Sequence, residues 1–209
     1  IEYVPGGSLI TTLEAYGGKL PSKIARKFCI DILNGLRYLH TSDVVHCDIK
    51  PHNVLVSADG TCKITDFGSA VFEQRAQEDA AMAFSLRKAS TQGTFDEGRS
   101  EMEDLRGTLK YMAPEVADSQ TPTVSSDMWS FGVTMAQLFL GKQPWAHVKP
   151  PYGTVAFITN LANGEWRPEF PDDAEVPPAI KVLCGLCWSH YPDDRPSAKD
   201  LLAHEYFFY

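Results

Sequence analysis

Asp48, Lys50, Asn53 and Asp66 have the residue types and the spacing needed to move a phosphoryl group. They fall in two short runs, His46-Cys47-Asp48-Ile49-Lys50-Pro51-His52-Asn53 and Asp66-Phe67-Gly68. Phosphoryl transfer asks for positioning and charge neutralisation more than for covalent chemistry. A carboxylate must orient the attacking hydroxyl and accept its proton, and Asp48 is the candidate. A divalent ion must neutralise the phosphates; Mg²⁺ takes hard oxygen ligands, which the Asp66 carboxylate and the Asn53 amide oxygen can supply. Lys50, two residues beyond Asp48, can reach the transferred phosphate and offset its growing charge. Asp-Phe-Gly alone, or His-x-Asp alone, arises often by chance. The signal is their conjunction.

The flanking sequence predicts elements that could position these groups. Val54-Leu55-Val56 and Cys62-Lys63-Ile64-Thr65 are β-prone runs separated by Ser57-Ala58-Asp59-Gly60, a hairpin signal. Both motifs then sit at strand ends, where scaffold meets loop. Upstream, Ile24, Phe28, Ile32 and Leu36 recur every four residues and predict an amphipathic helix from an N-cap at Ser22 to about His40. Ser8, after the turn-rich Val4-Pro5-Gly6-Gly7, can cap a shorter helix. Trp129 to Leu140 is apolar on nearly every face, as suits a helix in the middle of a core. Residues 154–163, 177–189 and 197–206 are further helix candidates. Residues 73–106 are rich in Glu, Asp, Gln, Ser and Arg and are expected to form a mobile surface segment.

Bulk properties narrow the classes. The chain has 209 residues, enough for one sizeable core, with 44% apolar and 22% charged residues. A net charge of −8 disfavours non-specific binding to nucleic acid or anionic membrane. Five scattered cysteines imply no disulfide framework, so a reducing cytoplasmic or nuclear setting is expected. Cys184 and Cys187 form a C-x-x-C with no second pair or nearby His, so buried packing is favoured over zinc. No run of 18 apolar residues predicts a membrane span.

Downstream motifs give the set a family resemblance. Gly107-Thr108-Leu109-Lys110-Tyr111-Met112-Ala113-Pro114-Glu115, Asp127-Met128-Trp129-Ser130-Phe131-Gly132 and Asp194-Arg195-Pro196-Ser197 join the two opening runs. In that combination the chain resembles eukaryotic protein kinases along its whole length. The resemblance implies a protein kinase-like α+β fold, here the mainly α-helical C-terminal lobe with a short catalytic β-hairpin. It assigns the hinge to residues 1–8, the catalytic loop to 46–53, the activation segment to 66–115 and a long insert to 73–106. It implies transfer of the ATP γ-phosphate to protein hydroxyls, with ATP and Mg²⁺ as cofactors. By the same resemblance His46 is structural, its imidazole bonded to backbone. Asp127 accepts hydrogen bonds from the catalytic-loop backbone, and Glu115 pairs with Arg195. Lys50 with Gly107-Thr108 resembles serine/threonine kinases, Thr108 being expected to bond both Lys50 and Asp48.

The opening Ile1-Glu2-Tyr3-Val4-Pro5-Gly6-Gly7-Ser8-Leu9 looks like a hinge, most like those of MEKK-type kinases. That likeness makes Ile1 the gatekeeper and has Glu2 and Val4 bond adenine. Leu55 becomes the floor beneath the base, and Ser8 lies near the ribose. The 209 residues contain no Gly-x-Gly-x-x-Gly loop and no Val-Ala-x-Lys strand. The chain is therefore expected to be a fragment that lacks the small lobe, and to bind ATP poorly and catalyse negligibly alone.

Cys47 stands where most kinases of the family carry Arg, which pairs with an activation-segment phosphate. A neutral thiol cannot make that pair. Activity is therefore expected to depend less on segment phosphorylation than is usual in the family; a large loss of activity on phosphatase treatment would count against this. Ser90, Thr91, Thr94 and Ser100 are candidate sites for an upstream kinase, Ser90 being preceded by Arg87-Lys88. Two other classes compete: a pseudokinase scaffold that only binds, and a small-molecule phosphotransferase. Intact Asp48, Asn53 and Asp66 speak against the first. Ala113-Pro114-Glu115 and the Asp127 motif speak against the second.

Overall fold

A computed structural model describes residues 4–73, 108–148 and 153–208. Helix α1 (Leu9–Ala15) follows Ser8, whose hydroxyl caps it by accepting the Thr11 N–H at 3.4 Å. Helix α2 (Ser22–His40) runs the length the apolar spacing predicts, burying Ala25, Phe28, Cys29, Ile32, Leu33 and Leu36. Its N-cap is Pro21, not Ser22, and carries no side-chain cap. Proline fixes φ and has no N–H to satisfy, so it turns the chain into the helix one residue earlier, and its carbonyl accepts from Ile24 and Ala25.

Among the described residues four short strands form two antiparallel pairs. In one, β2 (Val54–Val56) pairs with β3 (Cys62–Ile64), Val54 opposite Ile64 and Val56 opposite Cys62. In the other, β1 (Val44–Val45) pairs with β4 (Val71–Phe72). The two ladders bracket the chemistry-bearing runs. The loop from β1 to β2 contains Asp48, and the link from β3 to β4 contains Asp66.

The β2–β3 hairpin is clamped from two sides. The Asp31 carboxylate on α2 accepts the Cys62 N–H at 2.9 Å, and the Lys27 ammonium bridges Asp31 and the Gly60 carbonyl at 2.6 Å each. On the other side, the Val56 N–H donates to the Gly7 carbonyl at 2.9 Å. Gly6 is required there: a Cβ on it would lie 2.0 Å from the Val56 carbonyl oxygen.

Helix α3 (Pro114–Ala117) leads into α4 (Val124–Leu140), where residues 126 to 139 are all buried. Such a helix can sit only at the centre, and α2 and α6 (Pro178–Cys187) pack against it. Gly132 makes the α6 contact possible, since a Cβ there would fall 2.6 Å from Cys187 Cβ. Helix α5 (Thr154–Ala162) packs on α3, and α7 (Ala198–Leu202) on α2. The helix expected over 197–206 is broken: extended His204 separates α7 from a 3₁₀ turn at Glu205–Phe207. Cys184 and Cys187 are buried, and burial pushes the Cys187 thiol up to about 12, so both pack as apolar groups. Among the described residues no helix is long and apolar enough to cross a membrane.

Candidate active site

Asp127, fully buried in the first turn of α4, organises the loop that carries Asp48. Its Oδ2 accepts the His46 N–H at 2.8 Å and its Oδ1 the Cys47 N–H at 2.9 Å. This holds Cys47 in the left-handed region, φ +65°, a costly conformation for a side chain with a Cβ. His40, at the end of α2, donates from Nε2 to the same Asp127 Oδ2 at 3.0 Å.

His46 links the two motif runs. Its Nε2–H donates to the Thr65 carbonyl at 2.9 Å, leaving Nδ1 to accept the Asp48 N–H at 3.3 Å. One imidazole thus fixes the Asp48 backbone relative to the residue preceding Asp66. The Phe67 ring lies edge-on to it, 5.1 Å between centroids.

The Asp48 carboxylate is held by charge on one side and an amide on the other. Lys50 Nζ lies 2.9 Å from Asp48 Oδ2 and also donates to Thr108 Oγ1 at 3.0 Å. Thr108 was expected to bond Asp48 as well. No direct bond joins them; the Lys50 ammonium stands between, and it satisfies both oxygens at once. Asn53 Nδ2 donates to the Asp48 carbonyl and to Oδ2, at 2.8 Å each. With its nitrogen so committed, Asn53 has its amide oxygen left as a donor to a cation. Asp66 is exposed, in the left-handed region at φ +63°, and among the described residues its Oδ1 accepts the Gly68 N–H at 3.4 Å. Two hard oxygens are therefore available, one from Asn53 and one from Asp66. Among the described residues no group of three His, Cys, Asp or Glu could hold a metal by itself. That donor set suits Mg²⁺, which keeps few protein ligands and completes its shell with water and phosphate oxygens.

Leu55 is half-buried between buried Val54 and Val56, so the pleat turns it to the opposite face of the hairpin. It bridges to Ser8, whose hydroxyl is taken up with Thr11 at the α1 cap. Val4 is half-buried, and no hydrogen bond among the described residues uses its N–H. Ile1, Glu2, Gly107 and the candidate phosphorylation sites Ser90, Thr91, Thr94 and Ser100 lie outside the described residues, as does the insert from residue 74 on.

Behind the site, Arg195 and Glu115 form a forked pair, NH1 to Oε1 and NH2 to Oε2 at 2.7 Å each. Ser126 donates to the same carboxylate at 2.7 Å, and the guanidinium lies 5.1 Å from the Trp129 ring centroid. Burial would raise the Glu115 carboxyl. The hydrogen bonds and charge of Arg195, with the Ser126 hydroxyl, outweigh this and bring it below the usual carboxylate range.

His40, Lys27 and Asp31 are supports that sequence reasoning missed. The partner of His40 is 87 residues away, so no local spacing marks it. Lys27 and Asp31 are visible as an i,i+4 pair, but only the fold reveals that they hold the hairpin.

The family model for the protein kinase domain matches residues 1–207. The chain is 32% identical over 99% of its length to mitogen-activated protein kinase kinase kinase mkh1 of Cytospora mali. It is 31% identical over 99% to mitogen-activated protein kinase kinase kinase 2 of Arabidopsis thaliana, and 32% identical over 100% to nsy-1 of Caenorhabditis elegans. It spans 10%, 28% and 12% of those three proteins. The chain belongs to the protein kinase family, and its fold is the kinase-like α+β arrangement. The family implies use of ATP and Mg²⁺ and action on a protein substrate.

Proposed function

We propose that this chain is the catalytic-loop half of a serine/threonine protein kinase of the mitogen-activated kinase kinase kinase type. The observation that carries the reading is the arrangement around Asp48: a carboxylate bonded to Asn53 and Lys50, with Lys50 continuing to Thr108. Asp48 orients the substrate hydroxyl and receives its proton as the oxygen attacks the γ-phosphate of ATP. Lys50 offsets charge on the transferring group, and Thr108 fixes the Lys50 ammonium. Asn53 and Asp66 would hold Mg²⁺, which supplies charge neutralisation across the phosphates. Leu55 and Val4 contact the base, with Glu2 contributing its carbonyl. Ser8 serves chiefly as the cap of α1 beneath the ribose.

The five cysteines are free, which supports a reducing cytoplasmic setting, and an upstream kinase acting on the activation segment remains part of the reading. A pseudokinase scaffold is the competing reading, kept by Cys47. The Mg²⁺ ligands separate the two. Asn53→Ala and Asp66→Ala should each raise the Mg²⁺ concentration for half-maximal transfer and cut kcat by tenfold or more, assayed in a polypeptide that also supplies a small lobe. An unchanged Mg²⁺ dependence in both variants would remove these residues from the metal site.

A further inference from the structure

Glu73 opens the stretch whose composition predicts a mobile surface segment, yet its backbone and its side chain are both held. Its N–H donates to the Asp43 carbonyl at 2.8 Å, and its Oε1 accepts the Val124 N–H at 3.4 Å. Val124 is the first residue of α4, so that N–H has no partner within the helix. A carboxylate at a helix N-terminus also gains from the macrodipole. In the same first turn, Asp127 holds the backbone of the Asp48 loop. One turn of α4 thus anchors both motif runs. Asp127 takes the loop that carries Asp48, and Glu73 ends the run that starts at Asp66.

Packing does little to hold that run. Strand β4 is two residues long, with Val71 half-buried and Phe72 exposed. A ladder of that length is marginal by itself. Between Asp66 and β4 lies one 3₁₀ turn, Phe67–Ser69, closed by the Ala70 N–H on the Phe67 carbonyl at 3.1 Å. Asp43, which receives the Glu73 N–H, is itself in the left-handed region at φ +57°. That conformation is costly for a residue with a Cβ, and surrounding contacts must maintain it. The Glu73 carboxylate supplies a contact that joins this end of the run to the central helix.

We infer that Glu73 is a positioning residue for the metal ligand Asp66. It touches neither nucleotide nor substrate; through α4 it sets the Asp66 run in a fixed place relative to Asp48. The inference rests on the phosphoryl-transfer reading, in which Asn53 and Asp66 hold Mg²⁺, and adds to it a residue outside both motifs.

The test measures enzyme-bound Mn²⁺, a stand-in for Mg²⁺, by electron paramagnetic resonance with a non-hydrolysable ATP analogue. The protein is the kinase with a small lobe in the same polypeptide. Glu73→Ala should weaken Mn²⁺ binding by about fivefold, the worth of one lost helix cap. Glu73→Gln keeps an acceptor oxygen but no charge, and should weaken it by about twofold. Val124→Pro removes the donor instead. Proline is tolerated at the first helical position, and Thr123 before it is already extended, at φ −125°. This variant should reproduce the Glu73→Ala loss, and the double variant should lose no more than either alone. A merely stabilising role would lower the melting temperature and leave Mn²⁺ binding as in the parent, which would overturn the assignment. Losses that add in the double variant would overturn it too. Failure of the parent to bind Mn²⁺ with the analogue would overturn the metal site of Asn53 and Asp66, and this inference with it.

Discussion

Replacing Asp48 with Asn should lower kcat for phosphate transfer by about 10²–10⁴-fold, the range that a positioned general base contributes. The substitution keeps the side chain's shape, and its amide oxygen can still accept from Asn53 and Lys50. What is lost is the negative charge and the capacity to take a proton. The KM for ATP should change little, because in this reading Asp48 touches the substrate hydroxyl and not the nucleotide. The melting temperature should stay close to that of the parent, since Asp127 and His46 hold the loop through its backbone. Steady-state kinetics with a thermal melt on the same sample check both parts. A kcat within a few-fold of the parent would contradict the base assignment.

Removing Arg195 should have the largest effect on stability, ~3–5 kcal/mol for Arg195→Met, because it leaves the buried Glu115 carboxylate uncompensated. The Ser125, Ser189 and His190 carbonyls lose their donor at the same time. The paired replacement Glu115→Met with Arg195→Met should recover part of the loss, since no charge then remains buried. The same pair predicts a pH dependence. The folded pKa of Glu115 lies below its ordinary value of ~4.3, so its contribution is fully present above that value. It is lost as pH falls through the depressed folded pKa. Denaturant melts between pH 7 and pH 3 should therefore show an acid-side stability loss that is smaller in the doubly substituted chain. Equal acid sensitivity in parent and double variant would place that loss elsewhere.

Local signals were legible wherever a short-range rule governs the backbone. The hairpin followed from Asp59-Gly60 between β-prone runs, α2 from its four-residue apolar spacing, and α4 from a sequence apolar on every side. Capping was read less well at Ser22, where Pro21 fixes the backbone one residue earlier. It failed in the last helix, where an extended His204 interrupts a pattern that looked continuous. In the site, residue types and spacing named Asp48, Lys50, Asn53 and Asp66. They could not show that Lys50 stands between Thr108 and Asp48, which depends on where residue 108 returns in space. Nor could they reveal His40 against Asp127, or that Lys27 and Asp31 hold the hairpin. Those facts arise from contacts between distant parts of the chain.

Transfer of labelled γ-phosphate from ATP, followed by identification of the labelled amino acid, tests the central claim most directly. A polypeptide joining these residues to a small lobe should place Mg²⁺-dependent label on serine and threonine of a protein substrate, and Asp48→Asn should abolish nearly all of it. Label on tyrosine, or equal label with the Asp48→Asn chain, would contradict the account.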